Sequence, residues 1–344
     1  MSACLRQGWW LGFLFLLGCS KADPGPLDLN TIKNKRTYTG MEKVHWAGFT
    51  PDRRWLCAVG TDDGAYRVCV WDVGSGTLLK SHSAKELSTV RILGMGNREL
   101  LVKFWENDDE DTTVGRFDFA SGRGTGAIVL AGSSMPHRGD LFAAPEGKYY
   151  LAVQVGKAQL WDAQGNLLRR FEDLDFGGGT HSAVFDLEHD LVVVGCPNAL
   201  SVLPLGPEGK PVVLALEAGE SVYGLAIHDG RRIATGAFDE PTRLYDWDGQ
   251  KLQRGRVLGE ARQEGHAVSF SRTGKYLLSV GPQRLRFWDT ETGNLVHHYR
   301  YVPGGVLNYQ TFVAGTDLVL SCPEPGNALV LEPLAEMPLK TKAP

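Results

Sequence analysis

The sequence has no apolar run long enough to cross a bilayer. Its longest, "WWLGFLFLL" at residues 9 to 17, is about half of the roughly 20 residues a spanning helix needs, and no later stretch approaches 18 uninterrupted apolar residues. A surplus of positive charge is also missing. Lys and Arg number 36 against 40 Asp and Glu, a net charge of −4, which argues against the basic surface of a nucleic-acid-binding domain. With six cysteines in 344 residues, the fold is not one that demands a disulfide framework. Catalytic signatures are absent as well: there is no His-Glu-x-x-His, no Gly-x-Ser-x-Gly and no phosphate-binding loop. "GRGTG" at residues 122 to 126 reads as turn punctuation. His297 and His298 are neighbours in a strand, point to opposite faces and are poorly placed to share a metal, so neither a cofactor nor a metal is expected.

What is present begins at the N-terminus. Arg6, a short apolar stretch and a small residue before a cut site are the marks of a secretory signal. The cut site, Leu16-Leu17-Gly18-Cys19, resembles the lipobox of bacterial lipoproteins. That resemblance implies a signal peptide over residues 1–18 and Cys19 as the lipidated new N-terminus. More than one acyl chain gives stable anchoring. Ser20 stands where an inner-membrane retention signal would place Asp, which implies the outer membrane over the inner one. Residues 19–31, with "KADPGP", form a short tether, and the mature net charge falls to about −5 with the loss of Arg6.

The rest of the chain repeats itself. "VCVWDVGSGTLLKSH", "VGRFDFASGRGTGA", "KAQLWDAQGNLLRRF", "TRLYDWDGQKLQRG" and "LRFWDTETGNLVHHY" each read as a strand ending in an aromatic and an Asp, then a Gly-containing turn, then a second strand. Asp72, Asp118, Asp162, Asp246 and Asp289 are placed to close those turns by accepting a nearby backbone N–H. With two weaker copies, the markers are Trp71, Phe117, Trp161, Leu203, Tyr245, Trp288 and Leu331, at intervals of 46, 44, 42, 42, 43 and 43 residues. Upstream of each lies another pair of strands, as in "HWAGFTPDRRWLCAVG" and "HAVSFSRTGKYLLSVG". Four strands per period, repeated seven times, predict an all-β, seven-bladed β-propeller of four-stranded antiparallel blades over residues 32–344.

The repeats resemble those of WD-repeat proteins, whose blades carry Trp-Asp at the end of the third strand. The pair is literal at Trp71-Asp72, Trp161-Asp162 and Trp288-Asp289 and degenerate elsewhere. The Gly-His dipeptide of that family is missing from nearly every blade, so cohesion is expected to rest on apolar packing between blades. In the family the N-terminal segment commonly completes the last blade, which favours residues Ile32 to Tyr38 over Met337 to Lys340 as the closing strand. Of the four cysteines left in the mature chain, Cys196 and Cys322 lie in blades four and seven, too far apart to pair. Cys57 and Cys69 lie on adjacent strands of one blade, where a slip of one residue decides whether they face each other; buried free thiols are expected.

Aligned repeats also place His45, Thr89, Gly139, His181, Tyr223, His266 and Asn308 at the start of the first strands. The resemblance implies that these lie at the mouth of the central channel, on the face used for partners. They make a polar ring able to donate or accept, with hydrogen bonding inside each blade as the plainer reading. "ENDDEDTT" at residues 106 to 113, including Asp108 and Asp109, joins the second and third strands of blade two on that same face and would attract a basic partner. The opposite rim, at Arg53 or Lys275, is expected to matter less. Together these features predict a monomeric, membrane-anchored, non-enzymatic scaffold of the bacterial envelope that binds proteins or extended peptides and no nucleic acid. An outer-membrane protein assembly factor and a propeller hydrolase, lyase or lactonase using the channel mouth are the alternatives.

Overall fold

The computed structural model describes residues 27–85, 87, 90–96, 98–104, 112–119, 121–130, 140–174, 182–217, 220–237, 240–259, 267–281, 284–300, 310–313, 316–322 and 328–334. Cys19 and residues 1–26 lie outside them. The described chain forms seven four-stranded antiparallel sheets, a seven-bladed β-propeller. Blades one to six occupy residues 43–83, 90–130, 140–171, 182–215, 224–258 and 267–300, each with its strands in sequence order. The seventh joins residues 310–333 to the N-terminal strand Arg36–Thr39, which pairs antiparallel with Ala328–Pro333. The N-terminal segment therefore closes the ring, four residues later than the sequence places the start of that strand.

Each sheet has two apolar faces because its middle strands carry almost unbroken hydrophobic runs, such as "LVVVG" at residues 191 to 195. One face covers the blade before and the other the blade after. Seven buried clusters result, one at each of the seven interfaces between neighbouring blades. The cluster between blades seven and one also takes in Leu29, Ile32 and Tyr38, with Tyr38 set edge-on to Trp71 at 6.0 Å. Leu27 packs against it and donates its backbone N–H to Asp52 O at 2.7 Å. The last residues of the expected tether are thus packed on the body.

The aromatic markers are buried: Trp71, Phe117, Trp161, Tyr245 and Trp288 each face the preceding blade, as does Leu203. Leu331 differs. In blade seven the residue paired like Trp71 is Glu332, because Val319 pairs with Glu332 as Leu56 pairs with Trp71. The seventh marker is one residue later than the repeat spacing suggests, and with side chains alternating along a strand, Leu331 faces blade one instead. In five blades the pairing of third with outer strand shifts by one at the marker, at Trp71, Phe117, Trp161, Tyr245 and Trp288. Such a bulge bends the strand end and raises its twist where the turn must begin.

The turns behave as the aspartates predict, with one exception. Asp72, Asp118, Asp162 and Asp289 accept backbone N–H groups two to four residues on, at 2.6–3.1 Å. In blade five that work falls to Asp248, which accepts from Gln250 and Lys251, while Asp246 remains in the strand. The glycine that follows adopts positive φ, as at Gly76 (75°) and Gly293 (78°), a region open to glycine without strain.

Arginines on outer strands tie three of the turns between third and outer strands, those of blades one, four and six, to the blade before. Arg36 donates to Val73 O and Gly74 O; Arg169 donates to Pro204 O (3.0 Å), Gly206 O and Gly209 O (2.9 Å); Arg256 donates to Thr292 O (3.2 Å). Because the donors sit one blade upstream of the acceptors, the latches run in one direction round the ring, from seven to one, three to four and five to six. They supplement apolar packing with directional contacts at the rim.

Candidate functional site

The inner strands of successive blades approach one another around the axis, which puts the first strand of each blade innermost. Of the expected ring, the described residues are His45 and Tyr223. Thr89, Gly139, His181, His266 and Asn308 lie outside the described residues, as do Asp108 and Asp109, although the strands that flank the acidic stretch end at Phe104 and begin at Thr112, so it does join the second and third strands of blade two. His45 is the extra residue of a bulge: Val44 pairs with Gly60 and Trp46 with Val59, leaving it unmatched. Its ring stacks on Tyr66 at 5.6 Å, and Nε2 lies 3.5 Å from Thr61 Oγ1. Burial and the nearby Lys43 charge hold its pKa below the usual value, so at neutral pH it is an uncharged group engaged within its own blade. Tyr223 is exposed, and its backbone N–H is bound to Gly236 O at 2.8 Å.

The thiols Cys57, Cys69, Cys196 and Cys322 are free and buried. Cys57 pairs with Val70 and Ala58 with Cys69, so the two cysteines of blade one are one residue out of register and turn to opposite faces, one toward blade two and the other toward blade seven. Burial raises the thiol pKa at Cys57 and at Cys322, the latter to about 11, which suits packing and opposes nucleophilic chemistry. Among the described residues no three His, Cys, Asp or Glu side chains are grouped to hold a metal ion.

The described recesses open on the opposite rim, built from turns between first and second and between third and outer strands. One of about 680 Å³ is lined by Arg98, Glu99, Arg116, Asp118 and Thr125, with Glu146 from blade three. Arg116 lies 3.5 Å from Glu99, and Thr125 Oγ1 donates to Glu99 at 2.9 Å, so its charges largely satisfy one another. Two others adjoin, about 580 Å³ and 420 Å³, and share Trp247 as a wall.

Trp247 was not singled out by motif or repeat, yet a signal was present. It stands two residues past the marker, where four other blades carry the buried Val73, Phe119, Leu205 and Thr290 and blade three the half-buried Ala163. At Trp247 and at those four buried positions the backbone N–H ties to the turn between the first two strands, Trp247 to Arg231 O at 2.6 Å and Leu205 to Asp190 O at 2.8 Å. Trp247 packs against the cluster between blades four and five with part of its indole exposed. Comparison of the chain with protein-family models and with curated proteins finds no match.

Proposed function

We propose that the chain is a WD-repeat-type propeller that serves as a non-catalytic binding platform for proteins or extended peptides, lipidated at Cys19 and held at a membrane surface of the bacterial envelope, the outer membrane in preference to the inner. The observation that carries the reading is the closed ring, with a packed interface at every blade boundary and loops displayed on two faces. Such a body is rigid, and its surface is free to vary without disturbing the core. The anchor follows from the cysteine after Gly18 and from the packed start of the body. Seven residues, spanned by eight Cα–Cα steps, separate Cys19 from Leu27, which lies against the blade-one turn at Asp52. Fully extended, they reach only about 28 Å. The domain is therefore kept close to the bilayer, with the turn side of blade one nearest the anchor. At the channel mouth, Tyr223 and the acidic stretch containing Asp108 and Asp109 are the groups through which that face meets a partner.

The test is fractionation of cells carrying the full chain and its Cys19→Ala variant. The wild type is expected in the membrane fraction with a diacylglyceryl mass on the N-terminal peptide, and the variant soluble or unprocessed. An unmodified, soluble wild type would overturn the anchored reading.

A further inference from the structure

Aromatic rings that begin second strands on the turn face carry cations of the chain's own. Arg98 lies 6.0 Å from the Trp55 ring, Lys148 lies 5.7 Å from Tyr149 and Lys275 lies 5.2 Å from Tyr276. Trp247 ends the third strand of blade five on the same face, and among the described residues no cation stands over its ring. Carboxylates gather beside it instead. Asp229, Asp246, Asp248 and Glu291 line the recess on one side against two cations, Arg231 and Arg232, which leaves a net of two negative charges. Arg232 is turned away to donate to Thr290 Oγ1 at 3.1 Å. All four carboxylates are exposed at the rim. The recess on the other side of the indole is different in kind, with Leu191, Val202, Pro204 and Val212 among its walls.

We propose that this double recess across blades four to six is a binding groove for an extended partner segment, which sets an Arg or Lys side chain over Trp247 among the carboxylates and an apolar side chain in the neighbouring lobe. An aromatic face attracts a cation through its quadrupole, most strongly for Trp, and the flanking carboxylates add charge complementarity. Residues two apart in an extended chain point to the same side, about 7 Å from one another, which lets one segment fill both lobes. The occupant's being a peptide rests on the platform reading. The groove lies on the face opposite the channel mouth, so it is a second contact surface, on the rim the sequence marks as less important.

The test is calorimetric titration of the purified full chain with Ac-Leu-Gly-Arg-Gly-Leu-amide, with the Glu-centred peptide and the N-acetylglucosamine trimer as comparison probes. The Arg peptide is expected to bind, more weakly as salt rises, and the other two not to bind. Trp247→Leu keeps an apolar side chain against the blade interface but removes the π face, and is expected to weaken binding about tenfold. Asp246→Asn with Glu291→Gln, which leaves packing alone, is expected to weaken it about fivefold or more. Asp108→Asn with Asp109→Asn, in the stretch that joins the second and third strands of blade two, is expected to change it less than about twofold. Equal affinity in all variants, loss only in the Asp108/Asp109 variant, or binding of the saccharide in place of the peptide would overturn the groove. Peptide binding without any partner captured in cells would sink the platform reading and leave the groove; partner capture without peptide binding would do the reverse.

Discussion

Arg169 offers a sharp test of how the blades are held in register. It projects from the outer strand of blade three, its guanidinium 4.6 Å from the Phe171 ring, and donates to three carbonyls of the blade-four turn, Pro204, Gly206 and Gly209. A hydrogen bond from a charged donor contributes about 1.5–3 kcal/mol when shielded, but this side chain is half-buried and water would recover part of each bond. The three bonds together are therefore worth about 2 kcal/mol, and Arg169→Ala should destabilise by that amount. Arg169→Lys, which keeps charge and can reach one carbonyl, should cost about 1 kcal/mol. The loss should appear locally before it appears globally. Leu205 N–H is bound to Asp190 O, so hydrogen exchange at Leu205 should accelerate by up to about 30-fold, the factor that corresponds to 2 kcal/mol. Arg170, exposed and next in sequence, is the control. If Arg169→Ala and Arg170→Ala give the same urea midpoint and the same exchange at Leu205, the latch contributes nothing and the reasoning is wrong.

Two further outcomes follow from buried and turn-closing groups. Trp288 Nε1 donates to Ser279 Oγ at 2.8 Å with both side chains buried, so a cycle of Trp288→Phe and Ser279→Ala should show a coupling of about 1 kcal/mol in denaturant unfolding; additive effects would refute it. Asp289 accepts from Thr292 and Glu291 backbone N–H groups, chiefly the former, which hold its pKa below the ordinary aspartate value despite some desolvation. A depressed carboxylate stabilises the fold above its unfolded pKa and loses that contribution as pH falls through the folded value, so the wild type should lose stability below pH 3.8 and Asp289→Asn should lose less over that window. An unchanged acid limb in the melting curve would contradict this.

Most of the architecture was legible because it is written seven times. The interval near 43 residues, the aromatic-Asp ends and the turn signals each recur, so an error in one copy is corrected by the others. Where a copy is weak, that correction fails: "ALVLEPLAEMPLK" has no aromatic, and spacing alone set Leu331 where pairing sets Glu332. Blade five offered two aspartates two residues apart, and only turn geometry chooses Asp248 over Asp246. The arginine latches were not legible, since donor and acceptor lie in different repeats, 35 to 40 residues apart for Arg169, and a repeat alignment compares copies without joining them. The candidate groove shares that difficulty, because blades four, five and six contribute to it. Its one sequence mark, the out-of-pattern Trp247, gains meaning only once the equivalent positions in blades one, two, four and six are seen to be buried.

The platform itself is tested most directly by placing a photoreactive residue at Tyr223, exposed just before the first strand of blade five, and separately at Arg170 on the outer strand of blade three, in the full chain in intact cells. The account predicts a discrete, reproducible protein adduct from Tyr223 that Arg170 does not give. Identical faint adducts from both positions, or none from Tyr223, would contradict it.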